Sequence, residues 1–497
     1  MQIQFLDSKD GSKTFSANGM LYHSSYSPQK EAQRFIDTNT FQTTPEIIFI
    51  IEGGLNYFSN ALKSKYKDCL VVCIRFFDNT FPDENSWDKV INLKDFKNLS
   101  QFLINSFGEE ALLCSAVLEW PVAQKFFAEQ IQFFYKEYKT ALEYCKTLLV
   151  TRQFFEKKWL LNSCNFIIYA EQFLNPDIKI EVPVVICASG PGLKSNLQSI
   201  KSFRKKIFVL CLSSALSVLI KNSIIPDLIL STDGGFWAGE HLKYLKRNPG
   251  IPVAAPCEAF LSKTILRKNP ILALNYNDES SFIGSQILQQ TGIPFFNALR
   301  NPTVSGTGLF LAKNITNNNI YFCGLDLSSA TGFQHSQPNE LEKNNELNDC
   351  RIKTKETRIS RSRYNSESLN IYRDWFSCLD QNQTKKIFRV TDGIKTDKLG
   401  NITNLTPNDF YNKLQNLQES SLIFNFSKAS SINYDKHKVI TYIIEQLKTE
   451  KWSHQIFPAD YISINNCTNN SDKESMQKRL ETKIEQLISK IRKIADE

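Results

Sequence analysis

The sequence lacks the marks of a membrane-spanning, secreted or nucleic-acid-binding chain. No run approaches the ~18–20 apolar residues that span a bilayer. The first residues carry Asp7, Lys9 and Asp10 where a leader would be apolar. Twelve cysteines occur without any C-x-x-C or Cys/His cluster, which argues against zinc modules and a disulfide framework. Cys69, Cys73, Cys187, Cys211 and Cys323 fall inside apolar runs and read as small buried hydrophobes of a reducing cytosol. Histidine is scarce: His23, His241, His437 and His454 share no ligand spacing, so no metal site is expected. The net charge of +8 arises from 59 basic against 51 acidic residues. That surplus is modest for 497 residues; it favours small anions slightly and implies no nucleic acid. No internal repeat is visible. A cytoplasmic protein with neither nucleic acid nor membrane as partner is expected.

What is present is patterned apolar sequence, enough at 57.1 kDa for two to four domains. The organising stretch is EVPVVICASGPGL, 181–193. Val182 to Cys187 reads as a buried strand, and Ala188-Ser189-Gly190-Pro191-Gly192 as a turn opening a helix over 193–203. Such a turn aims unpaired backbone N–H groups at one spot and attracts phosphate. It is neither G-x-G-x-x-G nor a P-loop, so its meaning depends on the strands and turns around it.

From 175 to 400 strands and helices alternate: strands at 207–212, 228–232, 251–255, 271–274 and 320–325, with helical runs between them. This spacing predicts an α/β fold with a central Rossmann-like, doubly wound, mostly parallel sheet, whose ligands sit beyond the carboxyl ends of the strands. Polar clusters fall at those ends: Ser189-Gly190-Pro191-Gly192, Ser213-Ser214, Thr232-Asp233-Gly234 and Asp326. Another, Thr303-Val304-Ser305-Gly306-Thr307, opens a helix and forms a second anion-ready terminus. Their convergence points to a nucleotide-type site.

Residues 1–174 read as a smaller α/β plus helical domain, with a strand over 45–51 ending at Gly53-Gly54 and a long aromatic-rich helix over 122–146. That second glycine turn reads as structural. Residues 339–368 are polar and nearly free of aliphatics, predicting a mobile loop or lid. From about 404 the pattern turns helical, giving a C-terminal domain, 401–497. It ends in an amphipathic helix with Met476, Leu480, Ile484, Leu487, Ile488, Ile491 and Ile494 in its stripe, for packing or oligomerisation.

On these residues the chain resembles the motility-associated factor (Maf-type) glycosyltransferase family, which shares a domain with the MptE-like 6-hydroxymethylpterin diphosphokinases. The strings that carry the resemblance are ASGPGL at 188–193, PDLILSTD at 226–233, PTVSGTG at 302–308 and IYFCGLDLSSATGFQH at 320–335. LYHSSYSPQKEAQRF at 21–35, PEIIFIIEGGLNYF at 45–58 and IFRVTDGIK at 387–395 resemble the flagellar branch. The central strings are also similar to bacterial sialyltransferases that use CMP-activated nonulosonic acids without a divalent metal.

The resemblance implies transfer of a pseudaminic- or legionaminic-type nonulosonic acid from its CMP-sugar to Ser/Thr of flagellin, with no separate cofactor and no metal. Ser189, Gly190, Pro191, Gly192, Ser213, Asp233, Gly234, Thr303, Ser305, Gly306 and Thr307 would bind nucleotide and substrate. Asp326 would shape the site, and His335 would be the base. Three departures stand out: Gly192 replaces the pattern's serine, Gly306-Thr307 replaces a glycine pair, and 327–333 hold no phosphate-binding tyrosine. Two other readings stay open. One is a pterin-type diphosphokinase, which would need ATP, Mg²⁺ and more carboxylates near the turn; the other is a non-catalytic flagellin-binding module.

Overall fold

Short β-branched runs become strands buried along their whole length, Ile47–Ile51 and Val184–Cys187 among them. Such strands are stable only with both faces covered. The computed structural model describes residues 2–41, 43–78, 81, 84–96, 98–276, 282–327, 335–354, 367–392, 398–419, 427, 432, 434–467 and 469–497. Contacts divide the chain into two units, one of residues 1–156 and 453–484, the other of 157–452 and 485–497.

In the first unit β1 (Ile3–Asp7), β2 (Lys13–Ala17) and β3 (Met20–Leu21) form an antiparallel meander. A parallel sheet of β4 (Ile47–Ile51), β5 (Leu70–Arg75), β6 (Lys89–Asn92) and β7 (Ser115–Glu119) runs in the order β6-β5-β4-β7. The glycine turn after β4 is packed full. A Cβ on Gly54 would meet His23 Nε2 at 2.5 Å, and one on Gly53 would meet Trp87 at 2.9 Å. Beside it the buried Arg75 pairs with Glu52 at 2.5 Å, and Glu52 also accepts the N–H groups of Phe76 and Phe77. The turn's role is structural, as its sequence indicates.

The second unit holds β8 (Val184–Cys187), β9 (Phe208–Leu212), β10 (Leu228–Leu230), β11 (Val253–Pro256), β12 (Ile271–Tyr276), β13 (Phe295–Ala298), β14 (Ile320–Cys323), β15 (Ile387–Val390) and β16 (Thr403–Leu405). They form one nine-stranded sheet in the order β13-β12-β11-β10-β9-β8-β14-β15-β16. Every pairing in it is parallel. The chain builds outward from β8 in one direction as far as β13, then returns and builds in the other from β14. The crevice of such a doubly wound sheet lies where the order reverses, here between β8 and β14.

Three local expectations change. The run after the β8 turn is a tight 3₁₀ stretch, Pro191–Asn196, followed by only a short helix, Leu197–Ser202. Strand β16 interrupts the pattern expected to be helical from about 404, because it adds to the edge of β15. Part of the expected polar loop is the helix Glu340–Asn348, capped by the Asn339 side chain, which accepts from the N–H groups of Leu341 and Glu342. Residues 355–366 of that loop lie outside the described residues.

The helical pattern of the C-terminal stretch contributes to both units. In its last helix, Asn470–Asp496, Leu480, Leu487, Ile488 and Ile491 are buried, so the stripe serves packing within the chain. Among the described residues no helix is long and apolar enough to cross a membrane.

Candidate functional site

The turns after β8 and β14 meet at the reversal point. Gly324 follows β14 at φ +80° with its Cα hard against the Ala188 carbonyl, a conformation and a closeness that only glycine accepts. The backbone then delivers Asp326 beneath the first turn, where its Oδ2 accepts the Gly192 N–H at 2.7 Å. A cavity of about 330 Å³ opens above, within the usual size of a small-molecule site. Ser189, Gly190, Ser214, Thr303, Ser305, Asp326, His335 and Tyr372 supply its polar lining. Ala188, Leu212, Val304, Leu325, Leu327 and Leu369 supply most of the apolar part.

Asp326 is 2% exposed and is the one carboxylate in the described lining. Burial pushes its carboxyl up to about 6; the Gly192 N–H opposes the rise, the Asp392 carboxylate adds to it and Arg389 opposes it. Its Oδ1 is buried without a hydrogen-bond partner. Such an atom costs free energy until a donor arrives, so it is a waiting contact for a ligand N–H or O–H.

The hydroxyls of Ser189 and Ser214 are linked at 3.0 Å. On the opposite wall, Thr303 caps the helix Val304–Ile315, its Oγ1 accepting from the Ser305 N–H. The twelve residues of that helix direct the positive end of its dipole at the cavity.

His335 enters on a segment tied to the glycine turn. Ser336 donates its N–H to the Ser189 carbonyl at 2.7 Å and its Oγ–H to the Gly190 carbonyl at 2.6 Å. Asn339 donates to the Ser214 carbonyl and Ser217 to the Pro338 carbonyl. The imidazole is 24% exposed and lines the cavity, with Nδ1 3.4 Å from Glu342 Oε1.

The residues singled out in the sequence therefore divide. Ser189, Gly190, Thr303, Ser305, Asp326 and His335 share the cavity. Pro191 and Gly192 continue the turn behind it, and the Gly192 N–H is engaged by Asp326 instead of facing a ligand. A Cβ at 192 would stand 2.6 Å from Asp326 Oδ1; the missing serine is thus the counterpart of a carboxylate that fills its place. Ser213 lies outside the described lining, and its neighbour Ser214 stands there instead. Gly306 and Thr307 are buried along the helix, Gly306 against Asn301 and Trp375. Asp233 is exposed and bonds the Gly235 N–H, while Gly234 packs on Trp159. Neither borders the cavity.

Sequence reasoning named the Ser213-Ser214 pair but chose the wrong member, and it missed Tyr372 and Glu342. Tyr372 is carried by the helix Glu367–Ser377; its signal was an aromatic in an amphipathic run, which reads as core. Among the described residues no group of three or more His, Cys, Asp or Glu is arranged to hold a metal.

The family described as 6-hydroxymethylpterin diphosphokinase MptE-like matches residues 158–332. An uncharacterized protein of Treponema pallidum (strain Nichols) is 30% identical over 353 residues, spanning 71% of this chain and 76% of that one. The solved structure of the MAf glycosyltransferase from Magnetospirillum magneticum AMB-1 aligns with 99% of this chain and 92% of its own, at a TM-score of 0.53 and 12% identity. The chain belongs to one family with the Treponema pallidum protein and carries an MptE-like central domain. The span matched by the MptE-like family contains both turns of the reversal point and stops just short of His335. The likeness to the solved protein is one of fold.

Proposed function

We propose that this protein is a Maf-type glycosyltransferase that moves a nonulosonic acid of pseudaminic or legionaminic type from its CMP-sugar to Ser/Thr hydroxyls of flagellin in the cytoplasm, without a metal. The observation that carries the reading is the cavity at the β8/β14 reversal, where a histidine, a helix N-terminus and paired hydroxyls face one space whose described lining holds no lysine or arginine. A nucleoside monophosphate leaves with fewer negative charges than a di- or triphosphate, and hydroxyls with a helix dipole can meet them. A di- or triphosphate would call for cations.

In the proposed reaction the acceptor oxygen attacks the anomeric carbon of the sugar. The bond from that carbon to the phosphate oxygen breaks, and CMP leaves with the electron pair. His335 takes the hydroxyl proton, a general-base contribution of typically ~10²–10⁴-fold. The start of the helix at Thr303, with Ser305, faces the phosphate as its charge grows. Asp326 Oδ1 accepts from a donor hydroxyl or amine.

The family description favours one rival, diphosphate transfer from ATP. Calorimetric titration with CMP and with ATP·Mg²⁺, each with and without EDTA, separates the two. CMP binding that survives EDTA and weakens about 5- to 10-fold in Ser305→Ala is expected. Strict dependence on ATP with Mg²⁺, or intact flagellin mass unchanged after incubation with either CMP-nonulosonic acid, would overturn the proposal.

A further inference from the structure

We infer that Glu342 is the positioning residue of His335, fixing the ring as the tautomer that carries its proton on Nδ1 and presents the Nε2 lone pair to the cavity. Neutral imidazole has one N–H, and its location is set by the partner the ring finds. An ionised carboxylate only accepts, so a ring nitrogen facing it must be the donor. Glu342 Oε1 lies 3.4 Å from Nδ1, and the Glu342 side chain is only 4% exposed. It sits in the first turn of the helix Glu340–Asn348, where the helix dipole favours the ionised form. Its own N–H is held by the Asn339 cap.

The backbone beside the ring is held as well, since the adjoining Ser336 is bonded to the carbonyls of Ser189 and Gly190. With Nδ1 engaged, Nε2 is the nitrogen left for the cavity that His335 shares with Asp326 and Tyr372. A second pair in the same helical turn supplies the contrast. Glu340 faces His241 Nδ1 at 3.4 Å and also meets Lys243 at 3.7 Å, but His241 does not border the cavity. That pair fastens the helix, whereas Glu342 aims a ring into the site. The catalytic use of this arrangement rests on the glycosyl-transfer reading above; the tautomer does not.

The test uses the full chain labelled with ¹⁵N at its five histidines, the His335 signals being identified by their loss in His335→Asn. With the ring neutral, the wild type is expected to show Nδ1 protonated and Nε2 bare, and Glu342→Leu to shift the ring toward the opposite tautomer. In transfer assays Glu342→Gln is expected to lower kcat by roughly 10–100-fold, short of the full loss of a base. The acceptor KM should stay within about twofold, and Glu342→Asp should recover part of the rate. A wild-type ring protonated on Nε2 overturns the inference, and this reading needs no variant to fold. Unchanged ring signals in Glu342→Leu, which leaves Nδ1 no side-chain acceptor at that position, overturn it too. If the tautomer follows Glu342 while His335→Asn leaves transfer intact, Glu342 keeps its positioning role and the assignment of His335 as base fails.

Discussion

The Gly192 N–H donates to Asp326 Oδ2 at 2.7 Å across 134 positions of sequence. This bond joins the turn after β8 to the turn after β14 at the one place where the strand order reverses. Asp326 is thereby held under the cavity in a nearly dry position, with its second oxygen unbonded. The site stores an unfavourable buried carboxyl in order to present it.

That storage makes stability depend on pH. A carboxyl raised from 3.8 to about 6 binds more protons folded than unfolded. Its stabilising contribution is therefore complete below about 3.8 and is lost as pH rises through about 6. The shift corresponds to roughly 3 kcal/mol at neutral pH. Asp326→Asn keeps an oxygen for the Gly192 N–H and removes the charge. Urea unfolding is expected to find the variant gaining on the wild type by about 2–3 kcal/mol between pH 4 and 7. A constant difference over that window would contradict burial as the cause.

Restoring the serine at 192 should harm the protein. The Cβ of Gly192→Ser would press on Asp326 Oδ1, so a loss of about 1–3 kcal/mol is expected. Adding Asp326→Ala to Gly192→Ser should recover more than half of that loss relative to Asp326→Ala alone, a non-additivity measured by a double-mutant cycle. Additive effects would show that the two residues do not oppose each other.

In the first unit, Glu52→Gln removes the carboxylate that pairs with the buried Arg75 and accepts the N–H groups of Phe76 and Phe77. The expected cost is about 3–5 kcal/mol, read as a lower urea midpoint of the full chain. Glu52→Gln with Arg75→Met should be milder than Glu52→Gln alone. A loss under about 1 kcal/mol would mean that water reaches the pair.

Tyr372 is expected to contribute a hydroxyl to the nucleotide, taking the part of the tyrosine missing from 327–333. Tyr372→Phe should weaken CMP binding about 5-fold, the worth of one hydrogen bond, and Tyr372→Leu further through lost ring contact. Equal affinities for Tyr372→Phe and the wild type would leave the residue as an apolar wall.

The sequence by itself determined the local vocabulary. Val184–Cys187, Phe208–Leu212 and Ile320–Cys323 are legible as strands because apolar runs of that length must be covered on both faces. Glycine and threonine marked the turn at 190 and the helix start at 303, since backbone sterics and capping are set by neighbours in the chain. Ser189, Thr303, Ser305 and Asp326 could be named from their places at strand and helix ends, and His335 only through the family resemblance. Only the tertiary structure decided which ends share a space. Strand order is set by crossovers that pack dozens of residues away, and no local pattern records that β14 returns to lie beside β8. For the same reason the Gly192 N–H is occupied by Asp326, Ser214 replaces Ser213, and Tyr372 and Glu342 enter from helices whose sequences read as core and as loop. The first depends on a partner 134 residues distant, the second on the rotation of a single turn, and the last two on where their helices are set in the fold, none of which a period read along the chain registers.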